Sequence, residues 1–120
     1  GDLSGLVGKK FPSVGASMTD KNSYGGAVGY NVEAFFMAGG ENEMHVSYSN
    51  EYYERCWRFN KLNLIVKRVD GPLYHIDHYR GKNSTFSHVD GRHNMRVWDM
   101  EKKMSKDELV NFINTWSWLK

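Results

Sequence analysis

The C-terminal segment constrains the fold more than any other part of this sequence. Residues 105–108 read Ser-Lys-Asp-Glu, a capping box in which the serine oxygen accepts from the third helical amide while the glutamate reaches back. Met104 and Leu109 stand at the positions of a hydrophobic staple. One apolar stripe at helical spacing is formed by Leu109, Phe112, Ile113 and Trp116. We therefore predict a helix over 105–119 whose apolar face lies on a second layer of structure.

The segments before this helix alternate between apolar and polar residues, which is typical of strands. Residues 43–49 alternate most cleanly and predict a half-buried strand. Residues 51–59, rich in Tyr, Trp and Phe, and residues 62–69, with aliphatic side chains on one face, predict two more. Residues 29–37 fit either a strand buried on both faces or a short helix. The second layer is therefore expected to be a sheet.

The first of two Asp-Gly pairs, at Asp70, predicts a hairpin with a three-residue loop over 70–72. This loop length removes the proline, which has no N–H to donate, from the ladder. It pairs Val66 with Ile76 and Val69 with Leu73. Because a one-residue slip would turn every side chain to the other face, the apolar pattern favours this register.

The second pair, Asp90-Gly91, predicts a two-residue type I′ turn. Residues 84–89 and 92–99 would then be the last two strands. The partners across this hairpin would be Val89 with Arg92, His88 with His93, and Phe86 with Met95.

These elements together predict an α+β fold in one domain over residues 1–120. Five or six mainly antiparallel strands between about residue 29 and residue 100 would curve against the C-terminal helix. The N-terminal segment is rich in glycine, with nine of the twelve glycines in the first 40 residues. We expect this segment to drape over a sheet edge or to add one short helix, because no Gly-Lys-Ser/Thr follows at the spacing of a phosphate-binding loop.

Composition excludes several classes of protein. A net charge of +2 is too small to indicate nucleic acid or membrane attraction. A mean hydropathy of −0.64, with no long apolar run, predicts a soluble domain without a membrane span. The single cysteine, Cys56, excludes an internal disulfide, and its strand-like context favours an inert thiol. No motif indicates a cofactor, and the compartment stays open.

Histidines concentrate between residues 75 and 93 and allow an enzymatic alternative. A small hydrolase or metal-independent ribonuclease needs a base, an acid and a cationic group on a sheet. These could be supplied by His75, His93, Lys67 and Arg80. His88 and His93, facing each other across the second hairpin, are the alternative metal ligands. However, alternate strand residues face opposite ways, so His75 and His78 would not share one site.

Aromatic residues carry the preferred functional hypothesis, because 14% of the chain is Phe, Trp or Tyr. One thin core cannot cover all of them, and Tyr, Trp and Arg are enriched at recognition hot spots. We therefore predict a non-catalytic binding or inhibitor-type domain that recognises a protein partner through an aromatic and arginine-containing surface. The candidate partner-binding residues are Tyr52, Trp57 and Trp118. Nucleic acid is a possible but less favoured partner, since the positive charges are interspersed with negative ones.

Overall fold

The fold is seen in a computed structural model that describes residues 24–76, 78–82 and 89–119, together with the main chain of 16–18. Its elements in chain order are β1 (Ala16–Met18), α1 (Val32–Met37), α2 (Glu51–Lys61), β2 (Tyr74–Ile76), α3 (Val89–Lys102), α4 (Lys106–Asn114) and a 3-10 helix (Ser117–Leu119). The predicted α+β fold with a five- or six-stranded curved sheet is wrong, because the described part of the chain is mainly helical.

The predicted C-terminal helix is confirmed, with α4 followed by the short 3-10 helix. Both hydrogen bonds of the capping box are present: Glu108 N donates to Ser105 Oγ at 3.2 Å, and Ser105 N donates to Glu108 Oε2 at 2.7 Å. Hydrogen bonds from the main-chain N–H and the side chain of Ser105 lower the pKa of the Glu108 carboxyl, because they favour its charged form. The apolar stripe of α4 is buried and forms the centre of the hydrophobic core.

The core covers α4 with a loop and two helices instead of a sheet. Its buried residues are Leu109, Ile113 and Trp116, and the partly buried side chains packed on them are Met44, Trp57, Leu62, Met104, Phe112 and Trp118. Met44 comes from the loop after α1, Trp57 from α2 and Leu62 from the residue after it. Met104 comes from the α3–α4 turn, Trp118 from the 3-10 helix and Phe112 from α4 itself. The apolar face of α4 is therefore buried, as the sequence predicts, but it packs against loops and helices instead of a sheet.

Residues 51–59 lie in α2, so the strand predicted there is wrong. Glu54 and Arg58, four residues apart, are both fully buried and form an ion pair with Nε to Oε1 at 2.6 Å. Phe59 is also buried, but it lies on the part of the helix that lines the cavity described below. Charged residues recur at helical spacing in this segment, at Glu51, Glu54, Arg55, Arg58 and Lys61, but Glu54 and Arg58 are buried. The pattern therefore assigns buried residues to solvent, and the β-propensity of the aromatic residues favours a strand.

Residues 43–49 form an irregular loop, so the strand predicted there is also wrong. The side chain of Asn94 takes the place that a neighbouring strand would occupy: Val46 N donates to Asn94 Oδ1 at 2.8 Å, and Asn94 Nδ2 donates to Val46 O at 3.0 Å. One buried amide thus satisfies both main-chain groups of Val46, which a side chain can do as well as a strand.

The Asp90-Gly91 hairpin is wrong, because both residues lie in the first turn of α3. Asn94, Val97 and Glu101 are buried along one face of this helix, at spacings of three and four residues. Two of these three residues are polar, which conceals the helical period from a hydrophobic pattern. Residues 83–88, and with them His88, lie outside the described residues.

The first hairpin is wrong as well, because residues 62–69 form no strand. β2 pairs instead with β1 in an antiparallel ladder in which Ile76 opposes Ala16, His75 opposes Ser17 and Tyr74 opposes Met18. For residues 29–37 the sequence allowed a buried strand or a short helix, and the structure contains the short helix α1. Its N-terminus is capped by Asn31, whose Oδ1 accepts from Ala34 N at 2.9 Å. No helix in the described ranges has the length and apolar character needed to cross a bilayer.

Candidate functional site

A groove of about 960 Å³ lies beside α2. One wall is the irregular segment 24–30, the other wall is the irregular segment 66–73, and the exposed face of α2 forms the floor. A Cβ added to Gly26 would lie 2.9 Å from Leu73 Cδ2, so the two walls touch at that point. We call this cavity the α2 groove.

Aromatic rings line the α2 groove and contact each other along it. The Tyr24 ring packs edge-on against Tyr53, with centroids 5.5 Å apart, and the Tyr30 ring lies 4.7 Å from Phe35 and 6.1 Å from Phe59. Tyr30 therefore joins the wall to α1 and α2. Burial raises the pKa of the Tyr30 phenol, so this hydroxyl is neutral near pH 7.

Two arginines sit against these rings. Arg68 Cζ lies 4.7 Å from the centroid of Tyr24, and Arg55 Cζ lies 5.5 Å from the centroid of Tyr30. Arg55 Nη1 also donates to both carboxylate oxygens of Glu41, at 2.6 and 2.5 Å. Tyrosine rings paired with guanidinium groups therefore line the groove, which is a combination suited to binding carboxylates and planar groups.

Burial raises the pKa of the Cys56 thiol on the floor of the groove, which keeps the thiol protonated near neutral pH. Asn60 Nδ2 donates to Cys56 O at 2.9 Å, which fixes the amide on the same helix turn. Cys56 on this floor is therefore not an activated nucleophile.

The three predicted partner-binding residues separate in the structure. Tyr52 lines the α2 groove, where its ring lies 4.5 Å from that of Tyr53; burial, with a hydrogen bond to Tyr48, raises the pKa of the Tyr52 phenol. Trp57 packs on the hydrophobic core and lines a smaller cavity of about 200 Å³ behind Tyr24. Trp118 stacks on the core and donates from Nε1 to Glu41 O at 3.1 Å. Of the three, only Tyr52 is part of the groove.

The residues of the enzymatic alternative lie on separate elements. His75 is in β2, Lys67 is in the groove wall, Arg80 is an exposed residue beyond β2, and His93 is in α3. The ring of His93 contacts Met44 O, with Nε2 at 2.9 Å. No described contact joins His75 to His93. The acid–base pair therefore stays a prediction, and the two hairpins from which it was inferred are absent from the described residues.

His75 and His78 are closer than the facing argument predicts. His75 lies in β2, His78 lies beyond the end of that strand at Ile76, and the centroids of their rings are 5.1 Å apart. Within the described ranges, no group of three His, Cys, Asp or Glu side chains could hold a metal ion. The metal alternative at His88 and His93 falls partly outside those ranges.

The opposite face of α2 is buried and polar. Arg58 donates to Glu54, to Ala38 O and, at 2.8 Å, to Gly40 O. Glu101 accepts from Asn42 Nδ2 at 2.6 Å. This polar core fixes α2 in place, so the side chains on its groove face project from a rigid support.

Tyr24, Tyr30 and Arg68 are the groove residues that the sequence pattern does not assign to a site. One sequence signal could have indicated these residues: Tyr24 and Tyr30 stand at the two ends of a glycine-rich segment. Such a segment predicts a loop, and loops carried on a fixed scaffold are where binding residues concentrate.

Comparisons of this chain with protein-family models, with curated proteins and with solved structures found no match.

Proposed function

We propose that this chain is a non-catalytic binding domain that takes a segment of a partner protein into the α2 groove. The observation that carries the proposal is the lining of the groove, where Tyr24, Tyr30 and Tyr52 stand beside Arg55 and Arg68. Tyrosine and arginine are the side chains on which binding energy concentrates in protein interfaces. Their support by a buried ion pair on the other face of α2 favours a preorganised site.

The volume of the groove supports a macromolecular partner. About 960 Å³ lies at the upper end of the range found for small-molecule sites, and this groove is flanked by two chain segments instead of being enclosed. The neutral thiol of Cys56 and the scattered histidines offer no paired nucleophile and base on its floor. Binding without chemistry is therefore the function that the arrangement favours.

The test uses the full 120-residue chain as bait for a phage-displayed library of random linear peptides. Recovered peptides are synthesised with a fluorescent label, and their Kd is measured by fluorescence polarisation. Arg68→Glu and Tyr24→Ser should each weaken binding at least about tenfold, because each removes one member of the cation–π pair between the two groove walls.

Matched controls are Arg96→Glu and Tyr79→Ser, which make the same changes at exposed positions outside the groove. Their Kd values should stay within about twofold of wild type. Circular dichroism of each variant establishes that the helices persist. The proposal is wrong if the library yields no binding peptide, or if the recovered peptides bind the groove variants and the controls equally well.

A further inference from the structure

We infer that the cavity of about 200 Å³ between α2 and α3 binds a quaternary methylammonium group, such as the head group of choline or the side chain of a trimethylated lysine. We call it the aromatic cavity. It adjoins the α2 groove, and Tyr24, Cys56 and Asn60 line both. The ligand is of a different chemistry from the peptide assigned to the groove, so the inference does not depend on the proposed function.

Four aromatic rings and two uncharged polar side chains are the described residues that line the aromatic cavity: Tyr24, Tyr53, Trp57, Trp98, Cys56 and Asn60. Tyr53 and Trp57 are four residues apart in α2 and therefore lie on one face of that helix, while Trp98 comes from α3. Burial raises the pKa of the Cys56 thiol, which therefore stays protonated. The described lining is thus neutral and mainly aromatic.

The rings around the aromatic cavity stand in two orientations. The planes of Tyr53 and Trp98 are nearly parallel, at 10°, with their centroids 6.4 Å apart. The ring of Tyr24 stands at 72° to that of Tyr53, with centroids 5.5 Å apart. A group held among these rings would therefore meet aromatic surface from more than one direction. Such an arrangement is typical of the aromatic cages that bind quaternary ammonium groups.

Cations of the chain itself already contact two of these rings. Lys102 Nζ lies 4.4 Å from the centroid of Trp98, and Arg68 Cζ lies 4.7 Å from that of Tyr24. Both distances are within the range of about 6 Å over which the quadrupole of a ring attracts a cation. Lys102 and Arg68 are described residues that do not line the aromatic cavity, so they contact the rings from outside it. These contacts support a cation as the ligand.

The size and the lining of the aromatic cavity favour a methylated ammonium over a plain one. Its volume is below the range of about 300–1,000 Å³ that drug-sized ligands occupy, which suits a compact head group. A plain ammonium is strongly hydrated and carries three donors, which a mainly aromatic lining cannot satisfy. A quaternary methylammonium has no donor and presents methyl groups to the rings. It therefore loses less hydration when it enters.

The support of the aromatic cavity favours a preformed site. Asn42, in the loop before α2, donates to Glu101 of α3 at 2.6 Å, and Glu101 also lies beside Glu54 of α2. These buried groups connect the two helices that carry Tyr53 and Trp98. Binding would therefore require little ordering of the rings, which reduces its entropic cost.

The first experiment separates the charge of the ligand from its shape. The isotope-labelled full chain is titrated with choline, and Kd is measured from the NMR signals of the tryptophan indole N–H groups. The comparison ligand is the neutral alcohol in which carbon replaces the nitrogen of choline. Choline should bind at least about tenfold more tightly, because only its positive charge is attracted by the ring faces. Equal binding of the two ligands, or binding of neither, would overturn the inference.

Ring-removal variants place the ligand in the aromatic cavity. Trp98→Leu and Tyr24→Leu should each weaken choline binding at least about fivefold, because leucine is apolar but has no ring face. Tyr24→Phe keeps a ring and should bind within about threefold of wild type. Tyr79→Leu, which changes a residue that is 90% exposed and outside the cavity, is the matched control and should bind within about twofold. Circular dichroism establishes that each variant is folded.

Tyr24 lies in an irregular segment, so its variants keep the test decisive if Trp98→Leu does not fold. Choline binding that is equally tight in both leucine variants and in wild type would place the ligand elsewhere, and the inference would be wrong.

A second pair of ligands identifies the source of the methylammonium group. Trimethyllysine, blocked as an acetylated amide, is compared with choline and with the unmethylated lysine derivative. Tighter binding of trimethyllysine than of choline would indicate a modified polypeptide, and the reverse order would indicate a free solute or a head group. Both orders support the inference, whereas unmethylated lysine that binds as tightly as trimethyllysine would contradict it.

Failure of this inference is distinguishable from failure of the proposed function. Trp98 lines the aromatic cavity but not the α2 groove, so Trp98→Leu should leave the Kd of the recovered peptides within about twofold of wild type. Peptide binding without choline binding would reject the aromatic cavity alone. Choline binding without any recovered peptide would reject the proposed function alone.

Discussion

The buried charged residues are the most unusual individual features of this chain. Glu54, Arg58, Glu101 and the polar Asn94 are all fully buried, in positions where most small domains place aliphatic residues. A buried charge is tolerated only when it is paired and hydrogen-bonded. Arg58 meets this requirement through Glu54 and two main-chain carbonyls. Glu101 is tolerated for a different reason: its carboxyl stays protonated and therefore uncharged.

Glu101 is expected to make stability fall as pH rises through the neutral range. Burial, together with the nearby carboxylate of Glu54, raises its pKa to about 8 from 4.5. Between these values the folded chain binds one proton more than the unfolded chain. The contribution is therefore fully present below about pH 4.5 and is lost as pH rises through about 8. Each pH unit in this window costs up to about 1.4 kcal/mol.

Glu101→Gln should remove this dependence, because glutamine can still accept from Asn42 and has no proton to lose. Urea unfolding at intervals from about pH 5 to about pH 9 measures the slope for both proteins. The free energy of unfolding of the variant should decline less steeply with pH, so that it exceeds that of wild type at the alkaline end. Glu43→Gln, which changes an exposed glutamate in the same way, is the control. Parallel slopes for wild type and Glu101→Gln would contradict the assignment.

Two arginines of α2 allow a direct comparison of a buried and an exposed ion pair. Arg58→Lys should lower the free energy of unfolding by about 2–4 kcal/mol, since a single ammonium cannot reach Glu54, Ala38 O and Gly40 O together. Arg55→Lys should cost less than about 1 kcal/mol, because its partner Glu41 is half exposed. Urea unfolding of both variants at one pH measures the difference, and equal losses would show that the buried pair contributes no more than the exposed one.

At the scale of secondary-structure elements, the sequence predicts a helix correctly where the residues that specify it are apolar or lie close together in the chain. The helix at α4 follows from its capping box and its stripe, both of which lie within about one dozen residues. α2 and α3 could not be predicted in the same way. Their buried faces include Glu54, Arg58 and Glu101, which bond to groups on other elements, and a hydrophobic pattern treats these residues as exposed.

The candidate site, like the helices, could be predicted only where its determinants are local in the sequence. The sequence predicts Tyr52 as a binding residue because the aromatic surplus is visible in composition, and in the structure Tyr52 lines the groove. Tyr24 and Arg68 cannot be predicted in this way, because their relation depends on two irregular segments meeting beside α2. The approach of two loops to each other leaves no periodic pattern in the sequence. It follows from the packing of the helices that carry the loops.

The loop before α2 is expected to depend on one side chain of α3. Asn94→Asp keeps the acceptor for Val46 N but replaces the donor to Val46 O with a second oxygen. The carbonyl then loses its partner beside a buried carboxylate, at a cost of about 1–3 kcal/mol or more. Urea unfolding should show this loss, and hydrogen exchange at the Val46 amide should quicken. Asn111→Asp, an exposed change on α4, should alter neither measurement.

At the scale of the whole molecule, α2 lies between two environments with different roles. Its inner face is fixed by the polar core, and its outer face forms the floor of the α2 groove. The loop after α1 touches both α2 and α4, because Arg58 donates to its carbonyls and Gly39 lies against Ile113. The position of the groove therefore depends on how closely this loop approaches α4, and Gly39 is a point of close approach.

Gly39→Ala should destabilise the chain strongly. Gly39 has a φ of +92°, where an L side chain is strained, and its added Cβ would lie 2.7 Å from Trp116 Cζ3 and 2.9 Å from Ile113 Cγ2. Both neighbours are buried, so neither can move away freely. Strain and overpacking together predict a loss of about 2–5 kcal/mol in urea unfolding.

The control for this substitution is Gly81→Ala, where the added Cβ meets nothing within 4 Å, and it should change stability by less than about 1 kcal/mol. Because the loop that Gly39 anchors also fixes Arg58, peptide binding in the α2 groove should weaken in Gly39→Ala even under conditions where the variant is folded. Fluorescence polarisation with the recovered peptides measures that change. Unaltered stability in Gly39→Ala would show that the loop does not pack on α4 in this way.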